Sequence, residues 1–114
     1  MNILFICSRN QWRSPTAEKV WRSASSINVR SAGTSPKAKH TVTASDLQWA
    51  DLIFVMEAKH KQRLQAEFRQ LLTHQRIDVL NIPDEYQAMD PELIEIFEEL
   101  LDVFLSDRLN SNLI

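Results

Sequence analysis

The sequence predicts an α/β domain, a four-stranded parallel sheet with helices on both faces. Strand-like runs at residues 3–6 (ILFI), 28–31 (NVRS), 52–56 (LIFVM) and 77–82 (IDVLNI) alternate with helical patterns. The first run is continuously apolar, as in a strand buried on both sides. Strands separated by helices pair in parallel through right-handed crossovers, and ligands then sit beyond the carboxyl ends of the strands.

Each element has a local reason. After ILFI, Ser14-Pro15 reads as N-cap and first helical residue, since the hydroxyl accepts a free amide and proline has none to waste. The helix continues through residues 16–24, with Ala17, Val20, Trp21 and Ala24 on one face. NVRS forms a second short strand closed by Gly33, the only glycine in the chain. The polar stretch 34–43 reads as a surface loop, and a short helix over 44–49 precedes LIFVM. An amphipathic helix follows over roughly 57–73, with Leu64, Phe68, Leu71 and Leu72 at i, i+4, i+7 and i+8. IDVLNI runs into the loop PDEYQAMD. Pro91 then starts a last helix striped by Leu93, Phe97, Leu100, Leu101 and Phe104, and the tail from Ser106 is expected to fray.

A chain of 114 residues is expected to form one domain over 1–114. Its net charge of -2 gives no electrostatic argument for nucleic acid or an anionic membrane. Met1 and Asn2 lead straight into ILFI without a basic n-region, so no signal peptide or membrane span is expected. One cysteine cannot form an intramolecular disulfide, and a reducing cytoplasm is the expected compartment. His40, His60 and His74 share no ligand spacing, so no metal is expected, and His60 in EAKHKQR reads as a solvated residue of a charged helix. Lys37, Lys39 and His40 read either as a solvated loop or as a basic rim for phosphorylated substrates.

Cys7 ends the first strand, six residues ahead of Arg13, and two readings compete. In one the thiol is an inert core residue and Arg13 a solvated charge. In the other, amides of the loop form an anion-binding concavity. The helix N-terminus then adds its positive end, and Arg13 adds a planar fork for two phosphate oxygens. A sulfur at the foot of such a cradle is expected to ionise, and the thiolate is the nucleophile. In-line attack on a phosphate monoester follows, giving a cysteinyl-phosphate that water hydrolyses. A carboxylic acid must protonate the leaving oxygen, and the acidic loop 83–90 lies on the same sheet edge. No cofactor is required. Cys-x5-Arg alone is a weak signal; its setting after a buried strand and before Ser-Pro is what favours the second reading.

The stretch CSRNQWRSP, residues 7–15, resembles the C-x-x-N-x-x-R-S-P signature of the low-molecular-weight protein tyrosine phosphatases. The likeness extends along nearly the whole chain in a shortened version. It implies a three-layer sandwich with strand order 2-1-3-4. It also implies Cys7 as nucleophile and Arg13 as phosphate binder, within a phosphate-binding loop of Ser8, Arg9, Asn10, Gln11, Trp12, Arg13 and Ser14. Ser14 is implied to stabilise the thiolate, and Asn10 to take a left-handed conformation. SAGT at 31–34 matches the family's motif after the second strand, where Ser31 supports the loop by tethering Asn10. ADLIFVM at 50–56 is similar to the third strand. IPDEY matches the family's D-P-[YW] loop, with Asp84 as general acid, Glu85 in place of proline and Tyr86 as the aromatic beside the substrate. Asp90 is a second candidate acid, although Asp90-Pro91 also reads as a helix start. Trp12 stands where the family commonly has a second cysteine, so oxidised Cys7 has no neighbouring thiol to protect it. The segment after SAGT is also shorter than in the family. Trp12 then either replaces the missing wall of the substrate cleft or packs against the body.

The resemblance implies dephosphorylation of a phosphorylated partner, either a phosphotyrosine protein or a small phosphate monoester. Two rivals stand beside it. One is an arsenate reductase, which in the related type relays electrons through additional cysteines that this chain lacks. The other is a non-catalytic module that binds phosphate or phosphoprotein.

Overall fold

The computed structural model describes residues 1–112, with side chains described as far as Arg108. Its elements are β1 (Asn2–Cys7), α1 (Arg13–Trp21), β2 (Asn28–Gly33), α2 (Ala44–Trp49), β3 (Leu52–Val55), α3 (Ala58–Glu67), β4 (Arg76–Val79) and α4 (Pro91–Asn112). The four strands form one parallel sheet in the order β2-β1-β3-β4. The α/β class and the strand order are those expected.

Alternation along β1 divides the core. Ile3, Phe5 and Cys7 face the cluster shared with α1 and α4, where Ala17, Trp21, Leu93, Phe97 and Leu101 are buried. Leu4 and Ile6 face the opposite cluster with Ala32, Leu47, Ile53, Val55 and Leu64, which brings α2 and α3 to the second face. Trp21 anchors the first layer. It packs edge-on to Phe5 at 5.0 Å and to Phe54 at 5.5 Å, and its indole N–H donates to the Phe97 carbonyl at 2.9 Å.

Several boundaries differ from the expected ones. α1 begins at Arg13, with Trp12 in the cap position, because the Ser14 hydroxyl is engaged elsewhere and caps nothing. The same helix stops at Trp21 rather than residue 24. α3 ends at Glu67 with Phe68 as its C-cap, so Leu71 and Leu72 lie in a turn rather than on a longer helix. β4 ends at Val79, although Leu80 and Ile82 still donate to Val55 and Met56; Asn81, at φ 57°, breaks the extended conformation between them. The 34–43 segment is no free surface loop, for Thr34 and Val42 are buried. α4 continues past Ser106 to Asn112, and the last two residues, on which the fraying expectation also falls, lie outside the described residues.

Candidate active site

Cys7 is the last residue of the central strand, and its carboxyl end opens onto the loop of residues 8–12. The first carbonyls of this stretch are engaged by the segment after β2. Those of Cys7, Ser8 and Arg9 accept from the amides of Thr34, Ser35 and Lys39 at 3.0, 2.9 and 3.0 Å. The amides of residues 8–12 have no acceptor among the described residues. Amides without protein acceptors in a loop of this kind are the groups an anion-binding concavity would use. The strap that holds it is the 34–39 segment, and Gly33 is what lets the strap approach. A Cβ there would lie 2.6 Å from the Ser8 carbonyl oxygen and 2.9 Å from the Asn10 amide nitrogen. Asn10 turns the loop at φ 53°, a conformation asparagine tolerates.

A chain of side-chain hydrogen bonds lies behind the loop. Asn10 Nδ2 donates to Ser31 Oγ at 2.9 Å and to Ser14 Oγ at 3.0 Å. Ser31 passes its own proton to Glu18 Oε1 at 2.6 Å. Ser14 Oγ lies 2.9 Å from Cys7 Sγ and 3.4 Å from the Ala32 carbonyl, so its single proton can be given to an ionised sulfur or to that carbonyl. Cys7 is only 3% exposed, yet it lines a cleft of about 200 Å³ with Ser8, Arg9, Gln11, Trp12, Arg13 and Asp84.

Arg13 is 2% exposed, as a solvated charge would not be. Its Nη1 donates to Glu57 Oε1 and, at 2.8 Å, to the Ile82 carbonyl. The guanidinium is thereby held from behind while it lines the cleft. Burial pushes the Glu57 carboxyl up, but the hydrogen bond and charge of Arg13, aided by Lys59 and His60, outweigh it and hold the group below its ordinary range. Asp84 Oδ1 lies 3.7 Å from Arg13 Nε at the cleft mouth and is half exposed. The loop carrying it is tied down at both ends, by Arg13 on Ile82 and by the Met89 amide on Thr16 Oγ1 at 3.0 Å. Asp90 is elsewhere: its Oδ1 accepts the Glu92 amide at 2.9 Å and caps α4.

Tyr86 does not line the cleft, contrary to the role implied for it. Its ring packs against the cluster beneath α4, and its hydroxyl approaches Glu92 Oε1 at 3.4 Å, because that apolar face offers the ring more cover than the open cleft mouth. Trp12 does line the cleft and is 40% exposed. Lys39 contributes a backbone amide to the strap, and His40 Nε2 pairs with Asp46 Oδ2 at 2.7 Å, pinning the strap to α2. Among the described residues no group of three His, Cys, Asp or Glu side chains is placed to hold a metal ion.

Sequence reading missed three residues and misplaced one of them. Glu18 sits one turn after Ser14, and Glu57 lies two residues past the carboxyl end of β3; both positions were available as signals. His60 was expected in solvent, but it is 1% exposed. Its Nδ1 accepts the Glu57 amide at 3.0 Å, and its Nε2 lies 2.8 Å from Ser8 Oγ. Burial, helped by the Arg13 charge and only partly opposed by Glu57 and Asp84, pulls its pKa down to about 4.

No family model matches the chain. A curated relative, the protein-arginine-phosphatase of Bacillus subtilis (strain 168), is 26% identical over 135 residues, covering 95% of this chain and 87% of that protein. That near-complete span carries the signature loop with it. The chain is thus similar to a phosphatase along nearly its whole length. Two solved structures share the fold. The tyrosine phosphatase Wzb from Escherichia coli K30, in complex with phosphate, superposes with a TM-score of 0.74 at 22% identity, covering 93% of this chain and 96% of Wzb. A low-molecular-weight protein tyrosine phosphatase from T. tengcongensis gives 0.71 at 21%, with 94% and 99% covered.

Proposed function

We propose that this protein is a cysteine-dependent phosphatase acting through a cysteinyl-phosphate. The observation that carries the reading is the single cleft in which Cys7 sulfur, held by the Ser14 hydroxyl, meets Arg13, Asp84 and a loop of free amides. Cys7 sulfur attacks phosphorus in line, forming an S–P bond as the P–O bond to the leaving group breaks. Loop amides and Arg13 carry the charge that develops on the equatorial oxygens. Asp84 donates its proton to the departing oxygen, then takes one from the water that breaks the S–P bond and releases inorganic phosphate. Asp84 is the general acid rather than Asp90, because Asp84 borders the cleft and Asp90 is spent on the helix cap. Trp12 supplies the aromatic wall of the substrate cleft.

The substrate is a phosphorylated protein, with phosphotyrosine as the first reading. A second reading has phosphoarginine as the target. The curated relative bears that name, and the cleft walls are polar at Ser8 and Gln11, with the Asp84 carboxylate at the mouth. The lone cysteine, kept as a thiol, suits a reducing cytoplasm, and no helix among the described residues is long and apolar enough to cross a membrane.

Hydrolysis of p-nitrophenyl phosphate without added metal, inhibited by vanadate and lost in Cys7→Ser, is the expected outcome. A wild type that binds phosphate but releases no phenol would instead make the protein a binding module. Asp84→Asn should slow poor leaving groups most, and an unchanged rate would take the acid role from it. Phosphotyrosine and phosphoarginine peptides compared side by side decide between the two substrate readings.

A further inference from the structure

We propose that the Ser8 side chain is an additional donor to the phosphoryl group, and that His60 is the positioning residue that makes it one. The inference rests on the phosphatase reading for the identity of the anion and on hydrogen-bond direction for the rest.

His60 occupies the third position of α3, where its Nδ1 faces the Glu57 backbone N–H at 3.0 Å. A backbone N–H can only donate, so Nδ1 is an acceptor and carries no proton. The ring is neutral at physiological pH, because burial and Arg13 disfavour its cation. Its one proton therefore resides on Nε2, which donates to Ser8 Oγ at 2.8 Å. Ser8 Oγ thus acts as acceptor toward His60, and its own proton must be given elsewhere. Among the described residues Ser8 has no other side-chain hydrogen bond, and it lines the cleft beside Cys7, Arg13 and Asp84. The acceptor it can reach there is an oxygen of the bound anion. Were the imidazole of the opposite tautomer, Ser8 would have to donate to Nε2 and its proton would be lost to the ligand. The Glu57 amide, by fixing the tautomer, thereby fixes the polarity of a hydroxyl two hydrogen bonds away.

Ser8→Ala tests the first half, with inorganic phosphate and vanadate as probes. Both dissociation constants are expected to rise roughly tenfold, as for loss of a donor to an anion, and Ser8→Thr should restore them. The second half uses two amides of similar size. His60→Gln places an N–H near Nε2 and should keep phosphate affinity, whereas His60→Asn reaches only the Nδ1 position and should match Ser8→Ala. The Ser8→Ala/His60→Asn double variant should bind no more weakly than Ser8→Ala alone, since both remove one interaction. Phosphate affinity in Ser8→Ala equal to wild type overturns the proposal, as does a wild type that binds neither probe. Multiplying effects in the double variant would strip His60 of its positioning role. Wild type that binds both probes but hydrolyses no ester would refute the phosphatase reading alone, because these comparisons are made on binding.

Discussion

Acidification should expose the buried state of His60. The group is 1% exposed, and its pKa falls from 6.5 to about 4 on folding. A folded-state value below the unfolded one means that the unfolded chain binds the extra proton. Stability is therefore complete above pH 6.5, falls as the pH drops below it, and stops falling once the folded ring protonates near 4. At pH 5, 1.5 below the unfolded value, the linkage at ~1.36 kcal/mol per pH unit amounts to about 2 kcal/mol. The Ser8 end of the ring lies next to the open cleft, which moderates burial, so ~1–2 kcal/mol is the expected loss. Urea denaturation at pH 7 and pH 5, for wild type and His60→Gln, isolates the effect, because His40, His74 and the carboxylates are common to both proteins. Glu57 contributes in the opposite window. Its folded carboxyl is lowered, so its stabilisation persists at pH 5 and is lost only as the pH falls through its folded value. The wild type should lose more of its midpoint than the variant, by roughly 0.5–1 M urea. Equal losses would mean that His60 is not held neutral, and the assignment of its proton to Nε2 would fall with it.

Other perturbations follow from the same contacts. Gly33→Ala should destabilise by ~1–3 kcal/mol and lower phosphate affinity, since the new methyl meets the Ser8 carbonyl and Ala38 Cβ at 2.6 and 2.7 Å; thermal melts with and without phosphate read both. Glu57→Ala leaves the buried Arg13 guanidinium without its carboxylate, and a cost of ~1–3 kcal/mol is expected by urea denaturation, moderated because Glu57 is itself 30% exposed. Trp21→Ala removes the centre of an aromatic cluster and the indole hydrogen bond to the Phe97 carbonyl, for ~3–5 kcal/mol in the same assay.

The fold was legible in the chain because its signals are local. ILFI and LIFVM need no partner to read as buried strands, and the alternation of strands and helices restricts how they can be wound. The chemical core was legible for a similar reason, since Cys7, Arg13 and Ser14 lie within one short loop whose geometry their spacing constrains. Asn10 and Ser31, 21 residues apart, were paired only through a family motif; their 2.9 Å hydrogen bond is a product of β2 lying beside β1.

What the sequence by itself determined, then, is the layered α/β architecture and the placing of Cys7 and Arg13 on one short loop, through periodicity and short-range spacing. Only the tertiary structure decided the roles of Glu57, His60 and Tyr86. An apolar pattern cannot announce that a histidine in a charged helix is buried, because its burial comes from a loop 52 residues away. Nor can spacing show which face an aromatic takes, a choice made when α4 closes over the core. Burial and hydrogen-bond direction are properties of the assembled neighbourhood, and they set the charge on His60 and the orientation of the groups behind the sulfur.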